Sequence, residues 1–166
     1  AVTWNFGENL GNDDSYAVKF TTPIDGYLTK VDIGLIYESD IDISVFRSMA
    51  GGLFSDNPIN VLMEPVSYDN LPSGWNTLNI GSIALNSGEA FYVCIKNKDI
   101  DYGVTHDGNT SATHSYFQNS NGYYQASNSG NFCIRSRFDR DGELKVSNQL
   151  PSTFTIKNAY PNPFNP

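Results

Sequence analysis

The sequence predicts an all-β protein: an antiparallel two-sheet sandwich, jelly-roll-like, with an extended C-terminal tail. Apolar side chains recur with period two through most of residues 16–138. Gly, Pro and Asn-Gly or Asp-Gly pairs interrupt this alternation often, and no amphipathic helix separates the runs. Short alternating strands without intervening helices are typical of antiparallel sandwiches and barrels, of which we favour the two-layer jelly roll.

The strands of the N-terminal half follow from this alternation. Positions on a common face are Tyr16, Val18 and Phe20 in the first strand, Tyr27, Thr29, Val31, Ile33, Leu35 and Tyr37 in the second, and Ile41, Ile43 and Val45 in the third. The second of these sets is predicted to be buried. Residues 49–74 contain Gly51, Gly52 and three prolines. We therefore predict mostly a loop there, interrupted by a short strand near residues 60–63.

The second half continues the pattern. Positions on a common face are Asn76, Leu78 and Ile80, then Phe91, Val93 and Ile95, and finally Phe132, Ile134, Ser136 and Phe138. Asn121-Gly122 marks a hairpin turn between two short strands. Trp75, Phe91 and Phe132 are expected to pack internally. These readings give a sandwich over residues 1–138 and a connector over 139–150. Residues 151–166 read as the start of a further element or a linker.

The acidic composition restricts the partners. Ten Lys and Arg face eighteen Asp and Glu, for a net charge of −8. Such a surface repels nucleic-acid phosphates and anionic membranes, so neither is an expected partner, whereas a polysaccharide or calcium is compatible. No apolar run is long enough to span a bilayer. The chain lacks an initiator Met and a signal peptide, so we expect a piece of a longer precursor.

The C-terminal string "LPSTFTIKNAYPNPFNP" carries the most specific motif. Leu150-Pro151, Phe154, Asn158 and the run from Tyr160 to Pro166 resemble the start of the C-terminal sorting domain of bacterial type IX secretion substrates. That family continues into further strands that are not part of this sequence. The resemblance implies a secreted or cell-surface protein.

The body carries a second, more dispersed resemblance. "AVKFTTP", "GYLTKVDIGL", "GWNTLNI", "LNSGEAFYVCI", "HSYF" and "GNFCIRSRF" are similar to jelly-roll domains that precede such sorting domains in secreted peptidases and adhesins. Such domains are generally accessory and not catalytic. Where that family often has an acidic N-terminal element, this chain has Trp4-Asn5-Phe6-Gly7, so no metal site is carried over there.

The residues that could support catalysis do not form a recognisable motif. His106, His114, Asp107, Ser111 and Ser115 are close in sequence, but there is no Gly-x-Ser-x-Gly elbow and no zinc-ligand spacing. Carboxylate pairs occur at Asp40/Asp42, Asp99/Asp101 and Asp139/Asp141. They lie at strand edges or in a connector, where acidic residues are usually solvated. We predict that the chain is not an enzyme.

Oxygen-rich turns make calcium the one candidate cofactor. Asp139, Asp141 and Glu143 cluster in "DRDGE", and a second group occupies residues 8–14. Calcium takes six to eight oxygens from such loops. Neither stretch fits an EF-hand, and a tight turn is the alternative for "DRDGE".

Two further sets of residues complete the candidate sites. Aromatic side chains that could stack on a sugar or a surface partner are Trp4, Tyr102, Tyr116, Tyr123 and Tyr124. Cys94 and Cys133 could form a cross-strand disulfide if their strands pair, and otherwise are two partly buried thiols.

The sequence therefore supports two hypotheses. The first is an extracellular accessory module that binds carbohydrate or a surface partner, or braces a neighbouring domain. The alternative is a structural subunit of an extracellular filament that associates with other copies through its tail. The tail residues proposed to make that contact are Phe154, Ile156, Tyr160 and Phe164.

Overall fold

A computed structural model describes residues 15–49, 58–98, 104–106, 114–118, 124–126 and 130–140, with the backbone alone at 48, 49, 58, 59, 118 and 124–126. Within these residues the chain forms nine β-strands: β1 (Ser15–Thr21), β2 (Gly26–Leu35), β3 (Ser39–Met49), β4 (Pro58–Leu71), β5 (Gly74–Leu85), β6 (Ala90–Asn97), β7 (Ser115–Gln118), β8 (Tyr124–Ala126) and β9 (Ile134–Asp139).

The strands form two antiparallel sheets that pack face to face. The large sheet has the order β4-β3-β6-β1-β7-β8, and the small sheet has the order β5-β2-β9. The chain passes repeatedly from one sheet to the other, as in jelly rolls. The predicted fold class, an all-β antiparallel sandwich of jelly-roll type, is confirmed. The predicted hairpin also forms, since β7 pairs with β8.

The core lies between the sheets and agrees with most of the predicted faces. Phe91 of β6 is fully buried and joins the two layers. Its ring stacks on Phe20 of β1 at 5.4 Å and meets Phe138 of β9 edge-on at 5.6 Å. Phe132 is also buried, as expected. Trp75 is not, because 45% of its surface remains exposed on the outer face of the small sheet.

A bulge in β2 changes the predicted buried face. The register shifts between Leu28 and Lys30, so the alternation restarts one residue later. Leu28 is therefore fully buried, together with Val31 and Ile33, whereas Thr29 is only half-buried. Tyr37 lies beyond the end of β2 and is 47% exposed. The prediction that one unbroken face runs from 27 to 37 was wrong at both ends.

Strand β4 corrects the prediction of a long loop. It covers fourteen residues and pairs along β3, with bulges that absorb its irregular positions. Asn60 and Asn70 adopt positive φ angles of 66° and 54°. Pro65 lies within β4, which is the edge strand of the large sheet. Proline is tolerated at an edge or a bulge, since no ladder hydrogen bond is lost there.

The segment 104–106 closes one end of the small sheet. The backbone and hydroxyl of Thr105 both donate to the carbonyl of Gly34 at 3.0 Å, and the N–H of Cys133 donates to the carbonyl of Thr105 at 2.7 Å. A Cβ at position 34 would lie 2.5 Å from the Thr105 hydroxyl. This close approach explains why glycine occupies that position.

Candidate functional site

The outer face of the large sheet brings together tyrosines that are distant in sequence. Strand β1 lies between β6 and β7, so Tyr92 and Tyr116 come from the two strands that flank it. Their ring centroids are only 6.3 Å apart, with planes inclined by 57°. Two strand spacings amount to about 9.6 Å. The rings therefore lean toward each other over β1.

Small side chains form the floor beneath these rings. Ala17 and Cys94 are register partners on β1 and β6, and they are 0% and 4% exposed. Phe46 of β3 lies opposite Tyr92 and joins the same cluster. The outer face of a sandwich is usually polar. Here it carries a partly apolar aromatic surface, the tyrosine face, formed by Ala17, Phe46, Tyr92, Cys94 and Tyr116.

Both phenols are protonated at neutral pH, and their surroundings favour that state further. Burial raises the pKa of Tyr92, and the neighbouring Cys94 raises it further. Burial also raises the pKa of Tyr116, with a smaller contribution from Tyr92 and an opposing one from Lys19. The ammonium of Lys19 lies 5.9 Å from the Tyr92 ring centroid. Aromatic rings edged by hydroxyl and ammonium donors can stack on a pyranose and hydrogen-bond its hydroxyls.

The tyrosine face accounts for part of the predicted aromatic set. Tyr116 lies on it, and the backbone of Tyr124 pairs opposite Gln118 on the adjacent strand. Trp4, Tyr102 and Tyr123 lie outside the described residues. The sequence interpretation missed Tyr92 as a partner of Tyr116. Its outward position in β6 was available from the alternation, but the neighbourhood of β6 and β7 across β1 was not.

The cysteines do not form the disulfide that was considered. Cys94 lies in β6 of the large sheet, whereas Cys133 directly precedes β9 of the small sheet. These strands do not pair, so the condition for a cross-strand bond is not met, and no disulfide joins the two residues. The structure corresponds to the other alternative, because Cys94 is buried and Cys133 is half-buried.

The calcium prediction stays a prediction. Asp139 is the last residue of β9 and pairs with Tyr27. Asp141, Glu143 and residues 8–14 lie outside the described residues. In the part of the chain that the structure describes, no group of three or more His, Cys, Asp or Glu is placed to hold a metal ion.

The residues considered for catalysis take structural positions where they are described. His106 is buried and its backbone bridges to Phe132. The hydroxyl of Ser115 is also buried and accepts the N–H of Phe132 at 3.0 Å. The carbonyl of His114 accepts the N–H of Lys19 at 2.8 Å. Asp107 and Ser111 lie outside the described residues. These contacts connect β7 and β1 to the segment that leads into β9.

The Asp40/Asp42 pair belongs to a charge cluster at the edge of the large sheet. The Lys98 ammonium lies 3.2 Å from Asp69 and 3.7 Å from Asp42. Its hydrogen bond to Asp69 raises the pKa of Lys98, and the charges of Asp69, Asp42 and Asp40 act in the same direction. Asp40 also accepts the N–H of Asn70 at 2.7 Å. These carboxylates therefore contact residues from neighbouring strands at a largely exposed edge, where ion pairs contribute little to stability. The described residues do not include the pair Asp99 and Asp101, nor the tail residues Phe154, Ile156, Tyr160 and Phe164.

Comparisons with known proteins identify the fold. No family model and no curated protein matches the chain. One similar solved structure is that of the cysteine protease and lectin-like domains of Cwp84, a surface layer associated protein of Clostridium difficile, with a TM-score of 0.60 and 15% identity over 78% of this chain. Another is the clostridial cysteine protease Cwp84 after propeptide cleavage, with a TM-score of 0.57 and 14% identity over 76% of this chain.

This likeness is limited to the fold. The chain spans about a third of each of these structures, 32% and 36%. Among the described residues there is no helix long and apolar enough to cross a membrane.

Proposed function

We propose that the chain is a non-catalytic accessory module of a secreted or cell-surface bacterial protein, and that it binds carbohydrate at the tyrosine face. The observation that carries this proposal is the Tyr92–Tyr116 pair, with ring centroids 6.3 Å apart on an outer sheet face. The fold likeness to a structure described as containing lectin-like domains supports it. The sorting-domain resemblance at 150–166 supports an extracellular location by type IX secretion.

The geometry indicates how a sugar would bind. The half-buried rings of Tyr92 and Tyr116 offer apolar surface to the C–H face of a pyranose, which is the usual role of aromatic side chains in such contacts. Their protonated hydroxyls and the Lys19 ammonium can contact the sugar hydroxyls around that stack. Because the two half-buried rings pack against each other, they lose less side-chain freedom on binding, which lowers the entropic cost of association.

A glycan array with the whole chain tests this proposal, followed by calorimetry on the best neutral ligand. Tyr92→Ala and Tyr116→Ala are each expected to weaken binding by about threefold to tenfold, from the loss of one stacking contact. Tyr37→Ala is the matched control, because Tyr37 is exposed on the connection between β2 and β3. Absence of binding to any neutral glycan, or equal losses in all three variants, would rule out the tyrosine face as a sugar site.

A further inference from the structure

The outer face of the small sheet carries cations in a pattern that the fold itself does not favour. Lys30 of β2 lies directly opposite Arg137 of β9. Like charges at directly opposed positions destabilise a sheet. Arg135 lies on the same face, one alternation along β9. The acids that the register places on this face are Asp32 and, at the strand end, Asp139. Cations are thus in excess here, although the chain has a net charge of −8.

An exposed tryptophan joins these cations. Trp75 of β5 and Arg135 of β9 flank β2 on either side. The Arg135 guanidinium carbon lies 4.3 Å from the Trp75 ring centroid, so the two side chains meet above β2. Asp32 of β2 is correspondingly only 7% exposed, whereas Trp75 remains 45% exposed. A stacked Arg and an open aromatic surface therefore lie side by side.

Asp32 holds the neighbouring Arg137 in a defined orientation. One carboxylate oxygen accepts Nε of Arg137 at 2.7 Å, and the other accepts the Thr77 hydroxyl at 2.7 Å. Burial alone would raise the pKa of Asp32. The hydrogen bonds from Arg137 and Thr77 and the charges of Arg137 and Arg135 outweigh burial and lower the pKa. The Arg137 side chain is still 56% exposed. Its guanidinium is thus fixed through Nε while much of the side chain faces solvent.

We propose that this surface, the arginine face formed by Lys30, Trp75, Arg135 and Arg137, binds an acidic polysaccharide through its carboxylate or sulfate groups. Guanidinium groups bind such oxyanions through paired hydrogen bonds, and a guanidinium that is already oriented loses less freedom on binding. The exposed indole provides a surface for the sugar ring. An anion placed between Lys30 and Arg137 removes their mutual repulsion. This site is separate from the tyrosine face, because it lies on the outer face of the other sheet.

Binding to three polymers tests the proposal with the whole chain. Polygalacturonate carries carboxylates, dextran sulfate carries sulfates, and dextran is the neutral form of the same backbone. Calorimetry at low salt is expected to show binding to at least one acidic polymer, with affinity that falls as salt is added, whereas any binding of dextran at the tyrosine face should be weaker and insensitive to salt. Binding to polygalacturonate alone assigns carboxylate as the ligand group, and binding to dextran sulfate alone assigns sulfate.

Variants separate the arginine face from the general charge of the protein. Lys30→Gln and Arg135→Gln are each expected to weaken binding about tenfold, which corresponds to one charge-assisted hydrogen bond. Lys96→Gln is the control, since it removes the same charge from an exposed position on the large sheet, and it should leave affinity nearly unchanged. Arg137→Gln leaves buried Asp32 without its cation. It is therefore left out of the comparison, and Lys30→Gln and Arg135→Gln decide.

Three results would overturn the proposal. Equal binding to dextran and dextran sulfate would show that the cations are not used. Equal weakening by Lys96→Gln and Arg135→Gln would show that only net charge matters. Concentration-dependent self-association that Arg135→Gln abolishes, without any polymer binding, would assign the face to a second copy of the chain. Tyr116→Ala should leave acidic-polymer binding intact, so this site and the tyrosine face can fail independently.

Discussion

At the scale of single residues, Asp32 shows how one buried side chain organises a surface. It points outward from the central strand of the small sheet, yet it is buried beneath side chains from both neighbouring strands. A buried carboxylate is tolerated only when it is paired and hydrogen-bonded. Arg137 and Thr77 satisfy both oxygens. The same contacts that stabilise Asp32 also orient the Arg137 side chain.

Replacement of Asp32 measures this contribution. Asp32→Asn is expected to lower the free energy of unfolding at neutral pH by about 1–2 kcal/mol, toward the low end because Arg137 is largely exposed. The folded-state pKa of Asp32 is lowered from 3.8. Its contribution to stability is therefore fully present above pH 3.8 and is lost as the pH falls through the lower pKa of the folded state. Urea denaturation at several pH values checks this.

The difference in unfolding free energy between wild type and Asp32→Asn should shrink below pH 3.8. Asp69→Asn is the control, because Asp69 forms an exposed pair with Lys98, and it should change stability little at any pH. A gap between wild type and Asp32→Asn that persists in strong acid would contradict this account.

At the scale of elements, bulges decide which residues face the core. The shift between Leu28 and Lys30 lets Leu28 and Val31 point inward on the same strand. Lys30 and Asp32 point outward with or without the bulge, so the irregularity changes the facing of Leu28 and of the residues before it. The sequence alternation could not reveal the bulge, because Thr29 is compatible with either face. Only residues 60–63 of strand β4 were predicted, for a related reason, since Pro65 and the positive-φ asparagines are typical of loops but are accommodated at a sheet edge.

Paired substitutions distinguish the bulged strand from a regular one. Leu28→Ala is expected to cost about 2–5 kcal/mol of stability, the usual range for a fully buried leucine. Tyr27→Ala should cost less, because Tyr27 is half-buried at the start of β2. An unbroken alternation would bury Tyr27 and expose Leu28, so it requires the larger loss of stability for Tyr27→Ala. Guanidinium denaturation of both variants decides between them, and a larger cost for Tyr27→Ala would contradict the bulge.

At the scale of the whole molecule, the sandwich presents two outer faces of different chemistry. The large sheet carries protonated tyrosines over small side chains, and the small sheet carries oriented cations beside an exposed indole. The two faces lie on opposite sides of the core. If both proposed sites bind, simultaneous attachment to two polymers raises the effective concentration of the second contact.

The proposed location is also a property of the whole molecule, since it derives from the tail that follows the sandwich. In the producing bacterium, inactivation of the type IX translocon is expected to retain the protein inside the cell envelope. Immunoblots of cells and medium measure this, with a periplasmic protein as the control for general export. Unchanged release into the medium without the translocon would contradict the proposed export route.

The amino-acid sequence alone determined the class of the fold and most of its core. Period-two alternation depends on local geometry, since successive side chains of a strand face opposite sides. It therefore grouped the residues of β1, β3, β5, β6 and β9 that share one face without any tertiary information. Composition alone likewise indicated an acidic protein that is rich in aromatic residues.

Only the tertiary structure decided which outward residues become neighbours. The rings of Tyr92 and Tyr116 meet across β1, because β6 and β7 flank that strand. Trp75 and Arg135 meet across β2 in the same way, because β5 and β9 flank it. Strand pairing also places Cys94 and Cys133 in different sheets. Strand order depends on non-local pairing, and the local alternation pattern is the same for any order. The sequence therefore indicated which side chains face outward, and the packing of the sheets determined which of them form a site.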